Sequence, residues 1–202
     1  MDIDSLSQAL RAYTSSRRHA HSLNVMASAV QLARIHAPRL VESARLAGLL
    51  HDNAKRLDDV DLLTYAASFG LDLSEVEKRQ PSLLHGKVGA ALLPERFGIE
   101  DEEIAQAITD HVTGRPNMGS LSSVLYVADQ CAADRSFPGV ELLRGLAQQD
   151  LELAVMLVAR NKLLSVIQRG YLVEPNTAAL YNEKVLAGVT LPAGVSDFGG
   201  QD

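Results

Sequence analysis

Four of the six histidines, His21, His51, His85 and His111, have neighbours that bear on what an imidazole can do. His51 is followed at once by Asp52, at the end of the apolar run LAGLL. Adjacent side chains on a helix diverge by about 100°, so a mononuclear site takes both only near a helix end. A carboxylate that bridges two metals accepts the pair more easily, one oxygen to each ion. His85 and His111 sit close to small residues (Gly86, Gly114), and His21 lies near the start of a long helical pattern. Asp129 stands inside SSVLYVADQCAA, which is otherwise almost wholly small or apolar. A carboxylate there is costly unless paired, hydrogen-bonded or metal-bound; the bland alternative turns it to solvent beside Ser122 and Gln130. Singly, each histidine is more often a surface or core residue than a ligand, and His19 and His36 have no special setting. Jointly the set comes from five separate helices. Nitrogen and oxygen donors without thiolate suit iron, manganese, zinc, cobalt or magnesium.

Cations accompany these residues. Arg18 lies three before His21, Lys55 three after Asp52, Lys87 two after His85, Arg115 four after His111 and Arg135 six after Asp129. Ordinary surface charge accounts for some of them, Lys87 first. Arg115 and Arg135 are the stronger phosphate candidates, because a guanidinium can meet two phosphate oxygens at once.

The elements that must carry these residues are helices; no alternating run makes a convincing strand. The segment from Ser15 to His36 puts Leu23, Met26, Ala29, Val30 and Ala33 on one face before Pro38 stops it. Residues 40–51 continue into His51-Asp52. Asp58 caps a shorter helix ending at Gly70, and Ser74 with Glu77 fits a capping box. A helix from Leu83 carries His85 toward Gly98, with Pro94 kinking or restarting it. Asp101 caps the next, which closes at Gly114, and Ser120 opens another. Residues 139–169 supply one or two apolar helices, and Pro175 introduces a last one to Leu186. The expectation is a single-domain all-α bundle over residues 1–187, with a loose Gly- and Pro-containing tail over 188–202.

Composition narrows the function classes. With 47% apolar and 22% charged residues the 202-residue chain reads as one globular domain. No run approaches the ~20 apolar residues of a membrane span, and the N-terminus has no signal-peptide pattern. The one cysteine, Cys131, offers neither a disulfide framework nor a thiolate site. These features favour the cytoplasm. A net charge of −6 and no tryptophan argue against a nucleic-acid partner, though a metal and a few cations can still hold a small anion in one cleft.

The ordered series His21, His51-Asp52, His85, His111 and Asp129 resembles the HD-domain phosphohydrolase superfamily. More narrowly, RHAHSLNV (18–25), LAGLLHDNAK (46–55), LLHGKVGA (83–90), DEEIAQAITDHVTGRPNM (101–118), LYVADQCAADR (125–135) and FPGVELLR (137–144) resemble the bacterial YqeK-type symmetrical diadenosine tetraphosphate hydrolases. That resemblance implies an HD-type bundle in which His21, His51, Asp52 and Asp129 hold one metal. Asp52 would bridge to a second, held by His85 and His111, and iron is the first choice of metal. It implies attack by a metal-bridging hydroxide on a dinucleoside polyphosphate, with Asp52 and Lys55 as catalytic groups and Arg18, Lys55, Arg115 and Arg135 against the phosphates. Four positions depart from the family pattern: Ala132-Ala133 replaces a Glu-Pro pair, Val112 a threonine, and Asn53 a larger side chain. The rival readings are an HD-domain nucleotidase or alarmone hydrolase, a non-catalytic HD-type binding module, and a di-iron carrier, which would supply Glu-x-x-His motifs absent here. The apolar helices after residue 139 can cover the core or a partner in a homodimer.

Overall fold

The computed structural model describes residues 2–191, and among these every regular element is helical. Helix α1 (Ile3–Leu10) opens on Asp2, whose carboxylate accepts from the amides of Asp4 and Ser5 at 3.0 Å each. The sequence pattern sets no expectation for this stretch. Ser15 caps α2 (Ser16–His36), which ends before the 3-10 turn Pro38–Leu40. Then come α3 (Val41–Leu50), α4 (Asp59–Ser68) capped by Asp58, and α5 (Glu75–Arg79), where Ser74 and Glu77 form the expected capping box. The single helix expected from Leu83 to Gly98 is three pieces: the 3-10 turn Pro81–Leu84, α6 (His85–Ala91) and α7 (Leu93–Phe97). Pro94 sits in the first turn of α7, where its missing N–H is harmless, so it restarts the helix. Asp101 caps α8 (Glu102–Asp110), and α9 (Ser120–Cys131) follows. The stretch 139–169 resolves into two helices, α10 (Val140–Gln149) and α11 (Leu151–Gln168), before α12 (Pro175–Leu186).

Helix α9 is the hub. It packs against α2, α3, α8, α10 and α11, and it is buried on nearly every side from Leu121 to Asp129. An all-round apolar helix needs such a central position. Residues Leu153–Ala159 of α11 are buried in this same core, so the apolar run after 139 covers the domain's own interior. A second, smaller core joins Ala54, Leu62, Ala66, Leu84, Val88 and Leu92. The inward face of α2 is rotated from the expected one: Val25, Ala29, Leu32 and Ala33 are buried with His21 and Ser22, while Leu23 and Met26 only flank the core. Polar residues committed to the interior displaced the purely hydrophobic stripe. Of the expected tail, Val189 and Leu191 pack against the core, the Val189 amide donating to the Lys184 carbonyl at 3.0 Å. The remainder, 192–202, lies outside the described residues.

Two close approaches set the spacing of the chemistry-bearing helices. A Cβ on Gly48 would lie 2.7 Å from the Met26 Cα, so α3 can rest on α2 only with glycine there. A Cβ on Gly86 would lie 2.8 Å from both the Ile108 carbonyl oxygen and the Val112 Cγ2, which fixes α6 against the end of α8. Gly86→Ala is therefore expected to destabilise the fold by about 1–3 kcal/mol, read as a lowered Tm. It should also shift His85 relative to His111, since the two residues stand on the elements that Gly86 holds together.

Candidate metal centre

Each proposed ligand stands where a helix begins, ends or faces inward. His21 lies on the buried side of α2. His51 closes α3, and Asp52 falls in the following turn, which resolves the difficulty of an adjacent pair on a helix. His85 begins α6, His111 closes α8, and Asp129 occupies the last turn of α9. All six are buried, Asp129 at 7% exposure, so the solvent-facing alternative for that residue is excluded.

The side chains converge. His21 Nε2 lies 3.0 Å and His51 Nε2 4.0 Å from Asp129 Oδ1. The carboxylate of Asp52 divides its oxygens: Oδ2 is 3.5 Å from His51 Nε2, whereas Oδ1 is 3.4 Å from His85 Nε2 and 3.7 Å from His111 Nε2. His85 Nε2 and His111 Nε2 are 3.2 Å apart. Donor atoms of His21, His51 and Asp129, and separately of His51, Asp52 and His111, cluster tightly enough to share an ion.

Tautomers follow from the surroundings. The Nδ1–H groups of His51, His85 and His111 donate to the carbonyls three residues earlier, Gly48 at 2.9 Å, Ser82 at 2.6 Å and Ile108 at 2.6 Å. A carbonyl only accepts, so each Nε2 keeps its lone pair and points it at the centre. His51 Nε2 is buried with no hydrogen-bond partner. An orphaned acceptor of this kind costs about 1–3 kcal/mol, and a cation satisfies it.

Charge agrees with this. Burial holds the pKa of His51 down at about 4 and lowers those of His85 and His111, against the pull of Asp52. Burial alone would raise Asp52 and Asp129, yet the neighbouring imidazoles, with Arg135 beside Asp129, hold both well below the usual carboxylate range. Neutral imidazoles and ionised carboxylates are the forms that bind divalent metals. Burial pushes the Cys131 thiol up to about 12, so no thiolate competes.

The centre opens into a cleft of about 390 Å³ lined by Arg18, Lys55, Arg135, Lys162 and Arg169, among others. Arg18 Nη1 pairs with Asp52 Oδ2 at 3.0 Å, and Arg135 Nη2 with Asp129 Oδ1 at 2.6 Å. Lys55 Nζ lies 3.3–3.4 Å from the His85 ring nitrogens. Arg115 is not brought to this cleft. Its guanidinium is 3.0 Å from buried Asp110 and also donates to the carbonyls of Pro116 and Asn117, which makes it a brace for the loop after His111. Lys87 pairs with buried Glu77 at 2.8 Å, away from the ligands.

Two residues near the centre escaped the sequence reading. Asp134 accepts from His21 Nδ1 at 2.8 Å; it belongs to a turn, where no periodicity marks it. Lys162 interrupts an apolar helix, a signal that was available. Its Nζ donates to the carbonyls of His111 and Val112 at 2.9 and 2.7 Å and lies 4.1 Å above the Tyr126 ring, while burial draws its pKa down to about 7.

Residues 18–134 match the HD domain family. The chain belongs to that family. Among curated relatives it is 34% identical to the symmetrical bis(5'-nucleosyl)-tetraphosphatase of Halalkalibacterium halodurans, over 89% of this chain and 95% of the relative. It is likewise 34% identical to the enzyme of that name from Bacillus subtilis, over 82% and 88%. Its fold matches a crystal structure from Clostridium acetobutylicum, described as a predicted HD superfamily hydrolase involved in NAD metabolism. The TM-score is 0.88 at 36% identity, covering 93% of this chain and 98% of that one. The departures from the HD pattern leave the six candidate ligands buried and converging. Asn53 is a buried clamp donating to the carbonyls of Leu50 and Gly89 at 2.9 and 3.1 Å, and the Ala132-Ala133 turn is pinned by Arg144, which donates to the Ala132 carbonyl at 2.7 Å.

Proposed function

We propose that this HD-domain protein hydrolyses diadenosine tetraphosphate symmetrically, releasing two ADP, at a centre that holds two divalent metal ions, and that it acts in the cytoplasm. Iron is the first candidate, with manganese, cobalt, zinc and magnesium also compatible with imidazole and carboxylate ligands. The observation that carries the reading is the divided carboxylate of Asp52, one oxygen toward His51 and the other toward His85 and His111. His21, His51 and Asp129 would complete one site, and His85 with His111 the other. The dinucleotide substrate follows the names of the relatives similar over most of the chain, and the cationic cleft suits a polyphosphate.

Bound in this centre, the metals would lower the pKa of water and neutralise phosphate oxygens. Asp52 keeps the two imidazole sets in register around one carboxylate. Lys55, drawn below its ordinary pKa by burial, places an ammonium beside His85 at the cleft floor. Arg18 and Arg135 stand over the two aspartates, where their guanidinium groups can take up charge as the central anhydride bond breaks. Water adds to phosphorus, the bridging P–O bond breaks, and one ADP leaves from each half.

Purified protein incubated with diadenosine tetraphosphate should give ADP alone, with activity lost on chelation and regained on adding Fe²⁺, Mn²⁺ or Co²⁺. A chain that left this substrate untouched while dephosphorylating a nucleoside monophosphate or an alarmone would overturn the substrate assignment. Turnover of no nucleotide, with metals bound, would point to a binding module. The cations separate by role. Arg18→Ala and Arg135→Ala should each lower kcat/KM by about 10- to 100-fold, or about 1.4–2.7 kcal/mol. Arg115→Ala should leave kcat/KM near its original value and reduce stability by about 1–3 kcal/mol, because it strips a donor from buried Asp110.

A further inference from the structure

The four imidazoles of the centre are oriented in two different ways. Three of them, His51, His85 and His111, rest their Nδ1–H on a neutral carbonyl three residues earlier in the chain. His21 is the exception. Its Nδ1 is 2.8 Å from Asp134 Oδ2, a residue 113 positions further along the chain. Asp134 is itself steadied, since Asn24, one turn after His21 on α2, donates to Asp134 Oδ1 at 3.1 Å. The turn that carries it is closed by the Arg135 amide donating to the Ala132 carbonyl at 2.9 Å, and by Arg144 Nη2 donating to the Ala132 and Arg135 carbonyls at 2.7 and 3.0 Å.

We infer that Asp134 is a positioning residue that makes the His21 site the stronger of the two metal sites, by backing its imidazole with a carboxylate where the other three have carbonyls. A charge-assisted acceptor holds the Nδ1 proton more firmly than a neutral one and leaves more electron density on Nε2. The gain falls on the ion bound by His21, His51 and Asp129; His85 and His111 receive none of it. The side chain of Asp134 is 42% exposed, so a substitution there leaves no buried vacancy. The inference rests on the two-metal reading above and assigns an asymmetry within it.

The test is a Co²⁺ titration of the metal-depleted full chain against a competing chelator, followed by the cobalt d–d absorption, for the wild type and for Asp134→Asn, Asp134→Ala and His21→Ala. His21→Ala identifies which binding step belongs to that site. Asp134→Ala is expected to weaken that step by about 10- to 100-fold and change its spectrum, with the other step unaltered. Asp134→Asn, which keeps an acceptor but removes the charge, should fall between alanine and wild type. Thermal unfolding of each variant separates a folding defect from a ligand effect. If His21→Ala weakens one step and both Asp134 variants leave it unchanged, the inference fails and the metal reading stands. Equal weakening of both steps together with a lowered Tm makes Asp134 a loop clamp and also overturns it. If His21→Ala changes neither step, the ligand assignment itself is wrong.

Discussion

Replacing Asp52 with alanine is expected to lower kcat for diadenosine tetraphosphate by about 10³-fold or more, roughly 4 kcal/mol of barrier, while the chain stays folded. Asp52 is the one carboxylate whose two oxygens face different imidazoles, at 3.4 Å from His85 Nε2 and 3.5 Å from His51 Nε2. Its loss would remove a donor from both proposed ions together, and either ion alone lacks the charge to hold a polyphosphate for in-line attack. The fold should tolerate the change. The facing Arg18 has a side chain 43% exposed and can turn to solvent, and the core around α9 does not use this residue. ADP release resolved by chromatography, metal content by elemental analysis and a thermal scan together check the prediction. Activity within about tenfold of wild type, or 1.4 kcal/mol, would remove Asp52 from the reaction.

The second large effect is at Asp129. Asp129→Asn keeps the size of the side chain and removes the charge that His21 and Arg135 share at 3.0 and 2.6 Å. One equivalent of metal should be lost, with kcat reduced by about 10²-fold or more, or about 2.7 kcal/mol. Stability should fall as well, by about 1–3 kcal/mol, because the half-buried Arg135 exchanges a charged acceptor for a neutral one. Metal stoichiometry distinguishes this outcome from that of Asp52→Ala, where both equivalents weaken. An Asp129→Asn protein that kept two metals and full turnover would contradict the ligand set.

Much of this was legible in the chain before any coordinates. Helix caps at Asp58, Asp101 and the Ser74–Glu77 box marked three starts correctly, because capping depends on residues adjacent in sequence. The six candidate ligands were legible in a different way: Asp129 in an apolar helix is a locally costly choice, whereas each histidine taken singly is ordinary. Physical reasoning reached only the cost of Asp129; the order in which the six recur, and the resemblance it carries, made them a set. What stayed hidden was contact across long separations. Helix α1 is short and amphipathic and is fixed in part by buried His19, whose ring lies 2.9 Å from the Ser7 hydroxyl, a pairing no local pattern encodes. The rotation of α2 follows from polar residues drawn inward by a centre assembled from four other segments. Arg115 was misplaced because its partner, Asp110, sits five residues before it across a loop whose Gly114 adopts φ +66°. Asp134 was missed because a turn residue acquires meaning only when His21 is brought beside it.

The central claim is that Asp52 lies between two metal ions. The most direct measurement is a crystal structure of the metal-loaded protein with anomalous scattering recorded at the metal edge. Two peaks are predicted, one on each side of the Asp52 carboxylate, the first also within bonding distance of His21, His51 and Asp129 and the second of His85 and His111. A single peak, or a pair of which one makes no contact with Asp52, would contradict the account.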